Sequence, residues 1–230
     1  MFNTPFEDIY IVIPAKDEAK LIRPVIETTL ALGFQNIVLV NDNSTDKTKE
    51  IALSYGPKIK VLDHMLNLGA GAATKTGIDY ALLQGAKYIA TIDADFQHNP
   101  KDLIPLIKCI ETQKVDLVIG SRFLKKNGVP ITRMVFNFIG NIVNFFITGL
   151  VISDSQSGMK VMSRRFAENL EITFNGYEFC IEIIKNAKIN KSKIYEYPID
   201  VLYTEETMKK GQNIFTGFDM VGKLFNPFRN

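Results

Sequence analysis

Asp93-Ala94-Asp95-Phe96-Gln97-His98 carries two carboxylates and an amide oxygen at alternate positions. Alternate residues of an extended segment point the same way, so this spacing predicts three oxygen donors converging on one cation. An all-oxygen set suits a hard divalent ion, Mg2+ or Mn2+, with coordination positions left for phosphate oxygens. The competing reading is that Asp95 and Asn99 only cap a helix starting near Pro100, with His98 a residue of that helix start. Three more polar clusters accompany this one: Pro14-Ala15-Lys16-Asp17-Glu18, Asn41-Asp42-Asn43-Ser44 and Gly120-Ser121-Arg122. Arg122 and Arg133 offer forked, permanently charged donors that match phosphate oxygens. Between 117 and 153 the cations Arg122, Lys125, Lys126 and Arg133 are accompanied by no acid, and the two lysines read as solvated.

The elements that must position these groups follow from the hydrophobic pattern. Short apolar runs at Ile9 to Ile13, Asn36 to Val40, Ile59 to Leu62, Tyr88 to Ile92 and Val115 to Ile119 read as strands buried on both faces of a parallel sheet. Helix-length stretches at about 18–32, 45–55, 70–84 and 100–113 lie between them, which predicts a doubly wound α/β unit over about 1–120. All four polar clusters then fall at strand carboxyl ends, where such sheets bind ligands. Beyond Arg122 the pattern is less regular, with an apolar stretch over 130–152, mixed elements over 160–190 and an alternating strand from Lys193 to Tyr203.

Composition narrows the classes further. With 230 residues, 46% apolar and 23% charged, the chain is long enough for one sizeable core and unlike a disordered protein. A net charge of +2 argues against a general nucleic-acid binder. Cys109 and Cys180 stand far apart with no Cys or His cluster, so neither a disulfide framework nor a structural zinc site is predicted. Met1 to Asp8 lacks the basic and apolar regions of a secretory signal, and a reduced, cytoplasmic setting is expected.

These motifs, in this order, resemble glycosyltransferase family 2 with its GT-A fold, nearest its dolichyl-phosphate-mannose-synthase-like branch. The matching stretches are Pro14 to Glu18, with Asp17 in place of Asn, and Asn41 to Ser44, with Asn41 in place of Asp. They continue with Leu66-Asn67-Leu68-Gly69, Asp93 to His98, Gly120 to Arg122, Thr132-Arg133 and Asp154 to Gly158. The resemblance covers about 9–225 and implies one GT-A domain over 1–230. Such a domain would have a Rossmann-like doubly wound, mostly parallel sheet with helices on both faces. Residues 1–120 would form the nucleotide-sugar half, and 121–230 the acceptor half with an amphipathic segment at 133–152. The resemblance implies a metal-dependent, inverting transfer of a hexose from a UDP- or GDP-linked donor to a polyprenyl phosphate. Pro14, Lys16, Glu18, Asp42, Asn67, Gly69, Asp93, Ala94 and Asp95 would contact the donor. Asp93, Asp95 and Gln97 would hold the metal, while Arg122, Arg133 and Asp154 would serve the transfer itself. Asp154 would be a base or an organiser. Lys209-Lys210-Gly211-Gln212-Asn213 would be a loop over the donor.

Three alternatives stay open at this point. Transfer to a sugar hydroxyl of a growing glycan would require a carboxylate base. Gly69-Ala70-Gly71-Ala72-Ala73-Thr74 opens a predicted helix and resembles a weak dinucleotide-binding turn of a nicotinamide-dependent dehydrogenase, and an inactive binding module is the third. The apolar stretch also has two readings. Arg133, Asn137, Asn141, Asn144 and Thr148 recur at helical spacing, predicting one polar stripe on an apolar cylinder that Gly140 and Gly149 could interrupt. Such a helix, near basic residues, is expected to lie in the inner membrane interface as a peripheral attachment. Core packing or a homodimer contact would cover the same face.

Overall fold

The computed structural model describes residues 6–125 and 131–202, with the backbone alone at 131–133 and 136. Met1 to Pro5, Lys126, the end of the predicted 193–203 strand at Tyr203 and the Lys209 to Asn213 loop lie outside the described residues, as does the Arg133 side chain. The elements β1 (Ile9–Ala15), α1 (Ile22–Ala31), β2 (Asn36–Asn41), α2 (Thr48–Leu53), β3 (Ile59–Asp63), α3 (Ala70–Leu83), β4 (Tyr88–Thr91), α4 (Leu103–Gln113) and β5 (Leu117–Ser121) alternate as the hydrophobic runs predict. There follow α5 (Ile131–Thr148), β6 (Lys160–Ser163), α6 (Arg164–Glu168), α7 (Phe179–Ile189) and β7 (Ile194–Pro198).

The seven strands of the described residues form one sheet in the order β3-β2-β1-β4-β6-β5-β7. Every strand runs the same way except β6, which pairs antiparallel with β4 on one side and β5 on the other. Period-two alternation in β1 explains the two helical layers. Ile9, Ile11 and Ile13 pack with Ile22, Val25 and Ile26 of α1 and with Leu103, Leu106 and Ile107 of α4. Val12 points the other way, toward Ile78 and Ala81 of α3 and Ile183 and Ile184 of α7. Both faces are covered, so the strands are nearly continuously apolar.

The second half departs from expectation in two places. β6 was invisible in the sequence because its four residues, Lys160-Val161-Met162-Ser163, are too few and too polar to stand out as a buried strand. α5 runs unbroken through Gly140, where a Cβ would meet Gln156 Nε2 at 2.4 Å, and it ends at Gly149, whose φ of +69° is the usual left-handed stop. Gly140 therefore permits a close approach rather than a break.

Gly77 is a similar close approach at the centre of the fold, since a Cβ there would sit 2.3 Å from Val12 Cγ1. Helix propensity alone favours alanine by about 1 kcal/mol, while overpacking against a buried β-branched side chain costs about 1–3 kcal/mol. Gly77→Ala is expected to lower the urea unfolding midpoint. A raised midpoint would show that α3 can move off β1 freely.

Candidate active site

Strand order reverses between β1 and β4, and ligands of doubly wound sheets bind at that switch point. The segments that leave β1 and β4 are Lys16 to Glu18 and Ile92 to His98, so two of the polar clusters, each with two acids, leave neighbouring strands there.

The β1 loop is stitched to the loop after β2. Lys16 Nζ donates to the Asn43 carbonyl at 3.0 Å, Asp17 Oδ1 accepts from the Thr45 amide at 2.7 Å, and the Glu18 amide donates to Thr48 Oγ1 at 2.7 Å. The Thr45 amide bond is the largest effect holding the Asp17 carboxyl below its usual range. Asp17 has φ 52°, a left-handed conformation that Asn and Asp tolerate better than other non-glycine residues, which accounts for the Asp-for-Asn exchange. Asn41 also has a local reason. Its Nδ2 donates to Asp63 Oδ1 at 2.6 Å, where an aspartate would oppose a carboxylate.

Asp42, expected at the nucleobase, is buried and its carboxylate organises the loop after β3. Oδ1 accepts from the Leu68 amide at 2.8 Å and lies 2.9 Å from His64 Nδ1, while Oδ2 accepts from the Gly69 amide at 2.7 Å. Asn67 is exposed on that loop. Gly69 and Gly71 lie under the loop before α7: Cβ atoms on them would come within 2.3 Å of the Asn175 carbonyl and 2.1 Å of the Phe174 carbonyl. The Gly71 amide donates to the Asn175 carbonyl at 2.8 Å. The first turn of α3 is thus filled by protein backbone where a dinucleotide would place its pyrophosphate, which removes the structural basis of the dehydrogenase reading.

The Asp93 to His98 segment is not the extended ladder that its spacing predicts. Phe96 has φ 57°, and Asp95 Oδ1 accepts from the Gln97 amide at 2.9 Å, so the chain turns between Asp95 and Gln97. Ala94 and Gln97 are buried, while Asp93 and Asp95 remain partly exposed. Left-handed backbone at a bulky residue is strained, and such strain concentrates at functional sites. Asn99 does cap the following turn, accepting from the Lys101 amide at 3.1 Å, whereas Asp95 does not cap a helix.

His98, directly before that capped turn, is fully buried. Its Nδ1 lies 3.3 Å from Asp93 Oδ2, an ion-pair distance without the alignment of a hydrogen bond, so both ring nitrogens lack a hydrogen-bond partner. Burial alone would push the Asp93 carboxyl up. The His98 ring, the Lys160 ammonium and the Arg122 guanidinium overcome that and hold it below the usual carboxylate range. Lys160 was not expected in the site from the sequence. It is 1% exposed on β6, with its ammonium donating to the Ser157 carbonyl. Gly158 presses against Asp93 so closely that a Cβ would lie 2.1 Å from Oδ1.

Arg122 and Asp154 form a buried two-point pair. Arg122 Nε donates to Oδ2 and Nη2 to Oδ1, each at 2.7 Å, and the Arg122 amide adds a third bond to Oδ2 at 3.1 Å. Asp154 is 0% exposed. Lys125 is bound to Asp200 at 2.7 Å rather than simply solvated. Tyr177, also missed, stands half exposed before α7. It is pushed up to about 12 by desolvation first and then by the negative charge of Asp93 and Asp95, with Cys180 and Glu18 adding. No periodicity or motif marks either Lys160 or Tyr177.

The polar stripe of α5 faces inward. Asn137 and Asn141 donate to the Ser153 carbonyl at 3.0 and 2.8 Å, Asn141 accepts from the Ser155 amide at 3.0 Å, and Asn144 donates to the Leu150 carbonyl at 3.0 Å. Val143 and Ile147 pack on Ile181 of α7. The remaining face carries Val135, Phe138, Ile142, Phe145 and Phe146 into solvent, with Phe138 65% and Phe146 77% exposed. Among the described residues, no core cluster covers this face. No helix among the described residues is long and apolar enough to cross a membrane.

No three His, Cys, Asp or Glu side chains among the described residues are grouped to hold a metal ion alone. Asp93 and Asp95 nevertheless offer hard oxygen donors on the exposed side of the turn. Two carboxylates leave most of an octahedral shell to be filled, a set that fits a cation shared with a diphosphate.

The model of glycosyl transferase family 2 matches residues 10–171. The chain is 33% identical over 236 residues to the UDP-N-acetylglucosamine–dolichyl-phosphate N-acetylglucosaminyltransferase of Methanococcus voltae, an alignment covering 94% of each chain. It is 28% identical over 223 residues to the polyprenol monophosphomannose synthase of Mycolicibacterium smegmatis, covering 91% of this chain and 84% of that one. Among solved structures, the glucosyl-3-phosphoglycerate synthase of Mycobacterium tuberculosis in complex with Mn2+, UDP and phosphoglyceric acid superposes with a TM-score of 0.74 at 16% identity, covering 94% of this chain and 75% of that one. The mostly parallel sheet, with its inserted antiparallel strand and helices on both faces, is the GT-A Rossmann-like fold. The chain belongs to glycosyl transferase family 2 and is a glycosyltransferase.

Proposed function

We propose that this glycosyltransferase moves a hexose from a UDP- or GDP-linked donor to a polyprenyl phosphate at a membrane surface, with inversion at the anomeric carbon. The observation that carries this reading is α5, whose asparagines hold the Asp154 loop while its aromatic face points outward. A lipid surface on that face would present a phosphate beside the basic segment that contains Arg122. The donor and acceptor halves, 1–120 and 121–230, belong to this reading.

Pro14, Lys16 and Glu18, with the loop that Asp42 holds around Asn67 and Gly69, would frame the nucleoside. Asp95 with Asp93 would hold a divalent cation, and buried Gln97 and Ala94 would fix the turn that presents them. A cation bound there would neutralise the diphosphate leaving group as a Lewis acid. An oxygen of the acceptor phosphate attacks the anomeric carbon while the bond to the diphosphate breaks and its electron pair leaves with the nucleotide. One displacement inverts the centre. The attacking oxygen is already anionic, so positioning and charge stabilisation matter more than a base. Asp154 gives both oxygens to Arg122 and would act as an organiser. Arg133 would take the acceptor phosphate.

Three outcomes test this reading. Radiolabelled nucleotide sugars and short polyprenyl phosphates should yield a glycosyl phosphate lipid, with turnover lost in EDTA and restored by Mg2+ or Mn2+; full turnover in chelator would remove the cation. Arg133→Ala should cut the transfer rate at least about tenfold, the loss of a charge-assisted phosphate contact, with nucleotide affinity by calorimetry unchanged. An equal fall in UDP or GDP affinity would assign Arg133 to the donor instead. Wild-type protein should float with anionic liposomes at low salt, and Phe138→Asp/Phe146→Asp should not. Wild-type protein remaining in the soluble fraction would favour a glycan hydroxyl as acceptor.

A further inference from the structure

The loop that carries Tyr177 is firmly held, while the tyrosine hydroxyl is bonded to nothing among the described residues. The loop that carries it is fixed from several sides. Glu182 Oε2 accepts from the Thr173 and Phe174 amides at 2.8 and 3.0 Å, and the Asn175 carbonyl accepts from the Gly71 amide at 2.8 Å. Gly176 approaches Glu178 so closely that a Cβ would sit 2.2 Å from Oε2. Immediately after it, Phe179 packs into the core behind the sheet, and Cys180 Sγ lies 3.9 Å from the Gln156 carbonyl.

The Tyr177 side chain joins no hydrophobic cluster and stays 53% exposed. Its hydroxyl has no hydrogen-bond partner among the described residues. The start of α7 stands beside the acid turn, since Cys180 reaches the Gln156 carbonyl and Gly158, two residues on, abuts Asp93; Asp93, Asp95 and Glu18 are accordingly the charges that act on the Tyr177 hydroxyl. A phenol hydroxyl near several carboxylates adds no bond to the fold, because it donates to none of them among the described residues. The same set suits a polyhydroxylated ring. Carboxylates accept from sugar hydroxyls, an aromatic face packs against the C–H face of a hexose, and a phenolic hydroxyl can donate or accept.

We propose that Tyr177 is a sugar-contacting, specificity-determining residue of the donor site. Its ring packs against the hexose of the nucleotide sugar, and its hydroxyl reads the configuration of a hexose hydroxyl. This assignment rests on the transferase reading above. The nucleoside lies over the loops after β1 and β2 and the diphosphate lies at Asp93 and Asp95. The hexose, next along the donor, would then lie on the side of those two acids where the start of α7 carries Tyr177.

The test uses the whole chain with Mn2+ and compares wild type, Tyr177→Ala and Tyr177→Phe. Tyr177→Ala should raise KM for the nucleotide sugar about tenfold, while Kd for the bare nucleoside diphosphate stays within about twofold. Melting temperature should not change. Tyr177→Phe should keep most of the binding but lose discrimination between donors that differ in the configuration of one hexose hydroxyl. Equal losses for nucleotide sugar and bare diphosphate, or unchanged KM and selectivity in both variants, would overturn the assignment. Wild-type protein that transfers no hexose from any nucleotide sugar would overturn the transferase reading of the site and this inference with it. Normal wild-type turnover with an indifferent Tyr177→Ala overturns the inference alone.

Discussion

The carboxylate of Asp154 has no access to solvent, and a buried charge must be matched or the local fold fails. Arg122 matches it through three donors, and removing one partner of such a pair costs about 3–5 kcal/mol. Neighbouring elements converge on the same stretch of chain. Glu196 of β7 accepts from the Ser153 and Asp154 amides, two asparagines of α5 reach the Ser153 carbonyl, and Gly158 abuts Asp93. Residues 153–158 thus join the acid turn after β4, the arginine after β5, the edge strand β7 and the outermost helix. Displacing one of these contacts would disturb the others, so this loop is less an accessory to the site than its foundation.

Much of this was legible in the sequence. The parallel strands announced themselves because a strand covered by helices on both faces has no polar side to interrupt it, as in Ile9 to Ile13. The polar clusters could be placed because strand ends in such a sheet face one edge. The spacing of Asn137, Asn141, Asn144 and Thr148 identified a stripe correctly, but periodicity does not say which side of a helix faces protein. Here the stripe turned inward because the loop at 150–155 had carbonyls and amides to satisfy.

Other features were beyond pattern reading. Spacing suggested that Asp93, Asp95 and Gln97 alternate along an extended chain, yet the left-handed Phe96 defeats that inference through a single dihedral angle. Lys160 was unreadable because a lysine in a short segment looks exposed unless its counter-charge, Asp93 in the turn after β4, is known. Asp42 looked like a ligand-facing acid, but its oxygens are engaged by amides 26 and 27 residues away. Local sequence identifies groups that can do chemistry; only tertiary structure reveals which have already been claimed.

The position of β6 has a consequence for how the molecule is made. Its residues, 160–163, are synthesised after both strands that they separate, β4 at 88–91 and β5 at 117–121. As the chain emerges, β1 to β4 can associate through local parallel crossovers, but β4 then ends the sheet as an unpaired edge. β5 has no correct neighbour until some forty further residues, including the aromatic helix α5, have been made. Only with β6 in place are β4 and β5 joined in one sheet, with Lys160 buried between them. A nascent chain that ends before β6 would expose an unpaired strand edge and the apolar face of α5 together, the combination most prone to wrong association.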